Sequence, residues 1–203
     1  MAVGRPLVST WGRLEVEGLE TLPASGPVLI AGNHDSQMDP ITIGVAARPR
    51  RQIRALAKSS LWKVRGLAPI LDGMGQIPID RGAGDSGALD RAIEALRAGA
   101  CIGVFPEGTR SLGTQLRARS GIGRLAEAVP EAAIVLAAVT GTTDFARFPR
   151  RPRVRVRFSR AAGGDYRLGE EHGAFAARLL EEIRAGAPVV AAGRRARQPP
   201  AGA

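Results

Sequence analysis

Short apolar runs recur along the chain, and their period alternates between that of a strand and that of a helix. Leu14-Glu15-Val16-Glu17 alternates and predicts a strand, and the continuous run 28–31 predicts a buried one. Ile41, Ile43, Val45 and Ala46 predict a short, mostly buried helix. Residues 53–57 predict a strand that delivers Lys58 to its end, and 77–79 an edge-like strand ending at Asp80-Arg81. Leu61, Trp62 and Val64 suit a short helix or an apolar loop, and the glycines at 73 and 75 break the chain. Leu89, Ile93 and Leu96 form a helical stripe that Asp85 or Ser86 can cap and Gly99 ends. Residues 101–105 and 133–139 read as buried strands, with a helix between them marked by Ile122, Leu125 and Val129 and stopped by Pro130. In 153–158 arginine alternates with Val154, Val156 and Phe158, which predicts a strand with one wet face, the commoner case being an edge strand. Phe175, Leu179, Leu180 and Ile183 mark a last amphipathic helix.

Strands alternating with helices predict an α/β fold, a mixed but mostly parallel sheet covered by helices. The 203 residues suit one domain, expected over 1–190. Residues 191–203, rich in Arg, Pro and Gly, predict a disordered basic tail.

Composition then narrows the partners. Lys and Arg number 29 against 19 Asp and Glu, a net charge of +10 that favours anionic lipid, nucleic acid or phosphorylated substrates. The lone Cys101 excludes an internal disulfide, and its apolar neighbours suggest a buried thiol rather than a nucleophile. Residues 1–10 lack the apolar core of a signal peptide. The longest apolar run, 132–139, is far short of the roughly 20 residues that span a bilayer. The expectation is a cytoplasmic protein, peripheral on the inner face of the cell membrane.

Three polar stretches follow apolar strands, where α/β sheets collect ligands. The first is Asn33-His34-Asp35-Ser36-Gln37-Met38-Asp39-Pro40. Asp39 suits the N-cap and Pro40 the first position of the next helix. Five turning residues can bring Asp39 to the His34 ring; a carboxylate there sets the tautomer and makes the other nitrogen a better base. The second is Asp80-Arg81, a cation at a strand end, as is Lys58. The third is Phe105-Pro106-Glu107-Gly108-Thr109-Arg110-Ser111. There Gly108 permits close backbone approach, Arg110 offers a fork suited to phosphate, and Glu107 can orient that arginine or hold a hydroxyl. Each stretch alone also fits a solvated turn. His172, among glutamates, reads as surface, and the chain carries no cluster of metal ligands.

Taken in order, Asn-His-x-Ser-x-x-Asp-Pro, Ile-Pro-Ile-Asp-Arg and Phe-Pro-Glu-Gly-Thr-Arg-Ser resemble the 1-acylglycerol-3-phosphate acyltransferase family, over about Leu14 to Arg160. Glu17-Gly18-Leu19-Glu20 is similar to the family's lead-in to its first strand. The resemblance implies that His34 is the general base that deprotonates the acceptor hydroxyl, and that Asp39 orients and polarises it. It implies that Arg81, Glu107, Gly108, Thr109 and Arg110 hold the phosphorylated acceptor, with Lys58 a looser match. The donor is then acyl-CoA or acyl-carrier protein, the acceptor 1-acyl-glycerol-3-phosphate and the product phosphatidic acid, with no cofactor besides the co-substrate. Two departures stand out. Leu136 occupies an apolar strand where the family usually has a proline, in a block that shapes the acyl pocket. Only 33 residues precede His34, patterned as strand and loop rather than the membrane-binding helices of many members. Membrane contact is then expected from the basic surface and exposed aliphatics, or from a partner.

Other readings remain open. The same chemistry suits glycerol-3-phosphate, a lyso-amino-acid lipid or a glycolipid as acceptor, and a non-catalytic lipid-binding relative would share the motifs. A metal-dependent phosphohydrolase needs several histidines, and only His172 accompanies His34. A nucleic-acid module suits the charge but lacks aromatics among its arginines.

Overall fold

The computed structural model describes residues 12–80, 86–146 and 151–190. Arg81, the Asp85 cap and the 191–203 tail lie outside them. The strands are β1 (Arg13–Glu17), β2 (Val28–Gly32), β3 (Ile53–Lys58), β4 (Ile77–Ile79), β5 (Cys101–Val104), β6 (Ala133–Thr140) and β7 (Arg153–Arg160). The α-helices are α1 (Asp39–Ala47), α2 (Ala68–Gly73), α3 (Ser86–Arg97), α4 (Gly121–Ala128) and α5 (His172–Gly186). The strands form one sheet in the order β1-β7-β6-β2-β5-β3-β4. The five from β6 to β4 run parallel; β7 is antiparallel to β6, and β1 is parallel to β7.

Central β2 is buried along its whole length, as a strand covered on both faces must be. Its alternating side chains enter two cores. Leu29 joins Leu96, Ile102, Leu125, Ile134 and Phe175 under α3, α4 and α5. Val28 and Ile30 join Ile43, Ala46, Val135, Val156 and Phe158 under α1. Cys101 is inside the second core, and burial pushes its thiol up to about 12, consistent with an inert packing residue. No helix among the described residues is long and apolar enough to cross a membrane.

The pattern of β7 is half wet as expected, with Val154, Val156 and Phe158 buried and Arg153, Arg155 and Arg157 exposed. It is not an edge strand, however, because β1 pairs along its outer side. Glu15 lies opposite Arg155 in that register, and Arg155 bonds both Glu15 and Glu17. The arginine face is therefore partly neutralised by β1. Leu19–Thr21 adds a 3-10 turn to the loop before β2, and α2 was not marked by its sequence pattern. Within α1, Ile41 points outward while Thr42, Ile43, Ala46 and Ala47 are buried.

Candidate active site

The parallel strands set the position of the site. β2, β5, β3 and β6 all end at the same side of the sheet, so the residues just past them converge there. Where the β2–β6 ladder stops, the Asn33 side chain continues it: Nδ2 donates to the Val139 carbonyl at 2.9 Å, and Oδ1 accepts from the Val139 N–H at 2.8 Å. That pair anchors the turn holding His34. The His34 N–H donates to Glu107 Oε2 at 2.8 Å, and its carbonyl accepts from the Ser111 N–H at 2.8 Å. The loop 105–111 is thereby stitched to the histidine from both sides.

Asp39 is fully buried at the start of α1. Its Oδ2 lies 3.2 Å from His34 Nδ1 and accepts from the Asp35 N–H at 2.6 Å and the Ser36 N–H at 2.7 Å. Oδ1 accepts from the Thr142 hydroxyl. Asp39 was expected to cap α1; its carboxylate instead closes the turn before the helix, and the cap position falls on Met38 without a side-chain bond. Surrounded by donors, Asp39 must accept from His34, so Nδ1 carries the proton and Nε2 keeps its lone pair. No described residue bonds Nε2. The ring stacks on Phe105, centroids 4.4 Å apart and planes at 24°, and only 7% of His34 is exposed. Thr142 reaches Asp39 because Gly141 turns with φ of 82° directly after β6; a Cβ there would stand 1.9 Å from the Arg153 carbonyl oxygen.

A second charged layer lies beside the pair. Arg184, from the last turn of α5, forks between two carboxylates. It meets Asp35 through both terminal nitrogens at 2.9 Å, and Glu107 Oε1 through Nε at 3.1 Å and Nη2 at 2.5 Å. Ser111 Oγ donates to Asp35 Oδ1, and Asn33 Nδ2 to Asp35 Oδ2 at 3.0 Å. Burial pushes the Asp35 carboxyl up, but Arg184, then Ser111 and Asn33, pull harder the other way, and it titrates below the ordinary carboxylate value. Burial opposes the charge on Arg184 too, and its bonds to Asp35 and Glu107 more than offset this.

Removing the cation would leave two buried carboxylates facing each other. Arg184→Met is therefore expected to destabilise the fold by about 3–5 kcal/mol, lowering Tm by about 10 °C in calorimetry. The sign with pH follows from Asp35. Its folded value is below the ordinary 3.8, so the pairing contributes fully above 3.8 and is lost as pH falls through the folded value. The wild type should lose stability on acidification in that range more steeply than Arg184→Met.

Sequence and structure agree on the central pair, since His34 and Asp39 are in contact. Glu107 joins them but departs from its expected role. Both its oxygens are taken, one by the His34 N–H and one by Arg184, and it does not orient Arg110. Gly108, with φ of 71°, and Thr109 form the exposed tip of the same loop. Arg110 is half-buried, without an ion-pair or hydrogen-bond partner among the described residues, and adjoins the Ser111 that bonds His34. Lys58 is exposed at the end of β3 on the same side of the sheet. His172 is partly exposed and bonds Glu127 at 2.9 Å. Sequence reasoning missed Arg184, Thr142 and the structural use of Asn33, Asp35 and Ser111. A signal existed for Arg184: it follows Ala176 and Leu180 at intervals of four, on the buried stripe of α5.

Among known proteins, a family model described as Acyltransferase matches residues 13–140. A Bacillus subtilis protein named 1-acyl-sn-glycerol-3-phosphate acyltransferase is 32% identical over 105 residues, 52% of this chain and 52% of the relative. A Borreliella burgdorferi protein of the same name is 39% identical over 108 residues, 52% of this chain and 42% of the relative. The chain thus spans about half the length of the curated relatives it matches, or less. The crystal structure of the 1-acyl-sn-glycerophosphate (LPA) acyltransferase PlsC from Thermotoga maritima superposes with a TM-score of 0.70. That match covers 91% of this chain and 75% of the other at 23% identity, and it establishes a shared fold.

Proposed function

Because the chain belongs to the Acyltransferase family, whose model spans residues 13–140, we propose that it moves a fatty acyl group from a thioester to the free hydroxyl of 1-acyl-glycerol-3-phosphate. The product is phosphatidic acid, for phospholipid synthesis. The observation that carries this reading is the His34–Asp39 pair, beside a loop bearing Arg110, with neither Nε2 nor that arginine bonded by any described residue. Nε2 takes the hydroxyl proton as the alcohol oxygen bonds to the thioester carbonyl carbon. The C–S bond then breaks, and the proton passes to the leaving sulfur, so one thiol is released per ester formed. Asp39 balances the charge that develops on the imidazole. Arg110, Lys58 and Arg81 hold the acceptor phosphate, with the exposed backbone of Gly108 and Thr109 beside it. Glu107 positions the loop rather than touching the acceptor, given that its oxygens are occupied. The reaction needs no cofactor beyond the donor, acyl-CoA or acyl-carrier protein. The acceptor arrives from an anionic membrane surface, to which the protein binds peripherally on the inner face.

Incubation of the purified protein with labelled acyl-CoA or acyl-carrier protein and a panel of acceptors tests this. Labelled phosphatidic acid from 1-acyl-glycerol-3-phosphate, with equimolar free thiol, is the expected result. Transfer only to glycerol-3-phosphate, a lyso-amino-acid lipid or a glycolipid would reassign the acceptor; no transfer to any would overturn the reading. Arg110→Ala is expected to raise KM for the phosphorylated acceptor about 10–100-fold, the scale of one charged hydrogen bond, with kcat little changed. An unaltered KM would remove Arg110 from the phosphate site.

A further inference from the structure

The crossover from β3 to β4 departs from the rest of the fold. α3, the next crossover helix, seats Ala88, Ala92 and Leu96 completely inside the core. The β3–β4 crossover seats nothing. Its 3-10 turn Ser59–Lys63 and its helix α2 contain no buried residue, although they carry Leu61, Trp62, Ile70 and Leu71. Leu61 is 38% exposed, Val64 51% and Ile70 45%. A cleft of about 260 Å³, lined by Arg48, Gln52, Pro69, Ile70, Gly73 and Met74, runs beneath α2. Yet the segment is ordered within itself. Trp62 Nε1 donates to Asp72 Oδ1 at 2.7 Å, and turn bonds run from Val64 to Leu61, Leu67 to Val64 and Ile70 to Leu67. These side chains are held out on a folded scaffold.

Its charge indicates the occupant. Both lysines of the chain, Lys58 and Lys63, lie here with Arg65, all three exposed. The one acid in 59–74 is Asp72, already bonded to Trp62. Aliphatic side chains, a tryptophan and flanking cations together suit the boundary between headgroups and acyl chains. A second copy of the chain would bring the same cations against these. The segment also follows directly on Lys58, the last residue of β3, on the side of the sheet where His34 lies. We propose that residues 59–74 dock the protein on an anionic lipid bilayer, which would place the mouth of the site at the membrane. The inference rests on the acyltransferase reading, because that reading makes the acceptor a membrane lipid.

Vesicles of equal parts phosphatidylcholine and phosphatidylglycerol, without substrate, test it with the full chain. In a Trp11→Phe background Trp62 is the only tryptophan. Its emission should shift to the blue on binding and be quenched by bromine-labelled acyl chains. Val64→Ser/Ile70→Ser should weaken vesicle binding about tenfold or more, from lost apolar burial. Lys63→Gln/Arg65→Gln should weaken it about thirtyfold, at roughly 1 kcal/mol per cation. Turnover of a soluble short-chain acceptor should stay within about twofold in both. Unchanged vesicle affinity in Val64→Ser/Ile70→Ser would overturn the docking face. So would an unshifted Trp62, or the same pair splitting a dimer or raising KM for acyl-carrier protein without affecting vesicles. A wild type that docks through these residues but transfers no acyl group would uphold the docking face and overturn the acyltransferase reading instead.

Discussion

Asp39→Asn is expected to slow acyl transfer by about 10²–10⁴-fold, at most the full contribution of the imidazole base that it supports. The fold should survive, and the site's geometry says why. An asparagine amide oxygen turned toward the Asp35 and Ser36 N–H groups keeps both bonds. Its NH₂ then faces the Thr142 hydroxyl, which can accept as readily as it donates. What disappears is the negative charge 3.2 Å from Nδ1. The neutral amide still holds the ring but no longer stabilises the imidazolium that forms when Nε2 takes the proton. Thiol release against time reads the rate, and calorimetry reads the fold. Near-normal turnover would show that Asp39 only closes the turn.

His34→Ala is expected to reduce turnover by about 10²–10⁴-fold, the usual contribution of a positioned base. The loop around it should persist, since Glu107 and Ser111 bond the His34 backbone rather than its ring. Phe105 loses its stacking partner, and a small cavity opens at a nearly buried position, which lowers Tm by a few degrees. Two measurements separate a base from a structural residue. Added free imidazole should restore part of the turnover of the variant, by supplying a base in the space the side chain vacates. Binding to anionic vesicles should match the wild type. A variant retaining more than about a tenth of wild-type turnover would take the proton-transfer role away from His34.

The charged clamp shows where sequence reading stops. Glu107 and Arg110 lie three residues apart in one polar heptapeptide, and pairing them is the natural expectation. In the folded chain Glu107 is 2% exposed, turned inward between the His34 N–H and Arg184, while Arg110 is left without a partner among the described residues. Arg184 comes from 77 residues further on, beyond the stretch matched by the family model. A buried carboxylate requires donors and a counter-charge, but nothing local specifies which helix supplies them.

What the sequence determined alone is what short-range physics governs. Periods of two and of near four residues set the strands and most helices, and turn chemistry placed His34 five residues before Asp39 at the end of a buried strand. The order of the strands, the inner position of β7, the Thr142 and Arg184 contacts and the unseated crossover 59–74 were decided only by the tertiary structure. The physical reason is that side-chain period reports which face of an element is apolar, not which element covers it. Contacts such as Arg184 to Asp35, 149 residues apart, exist only once loop closure has been offset by burial of both cores.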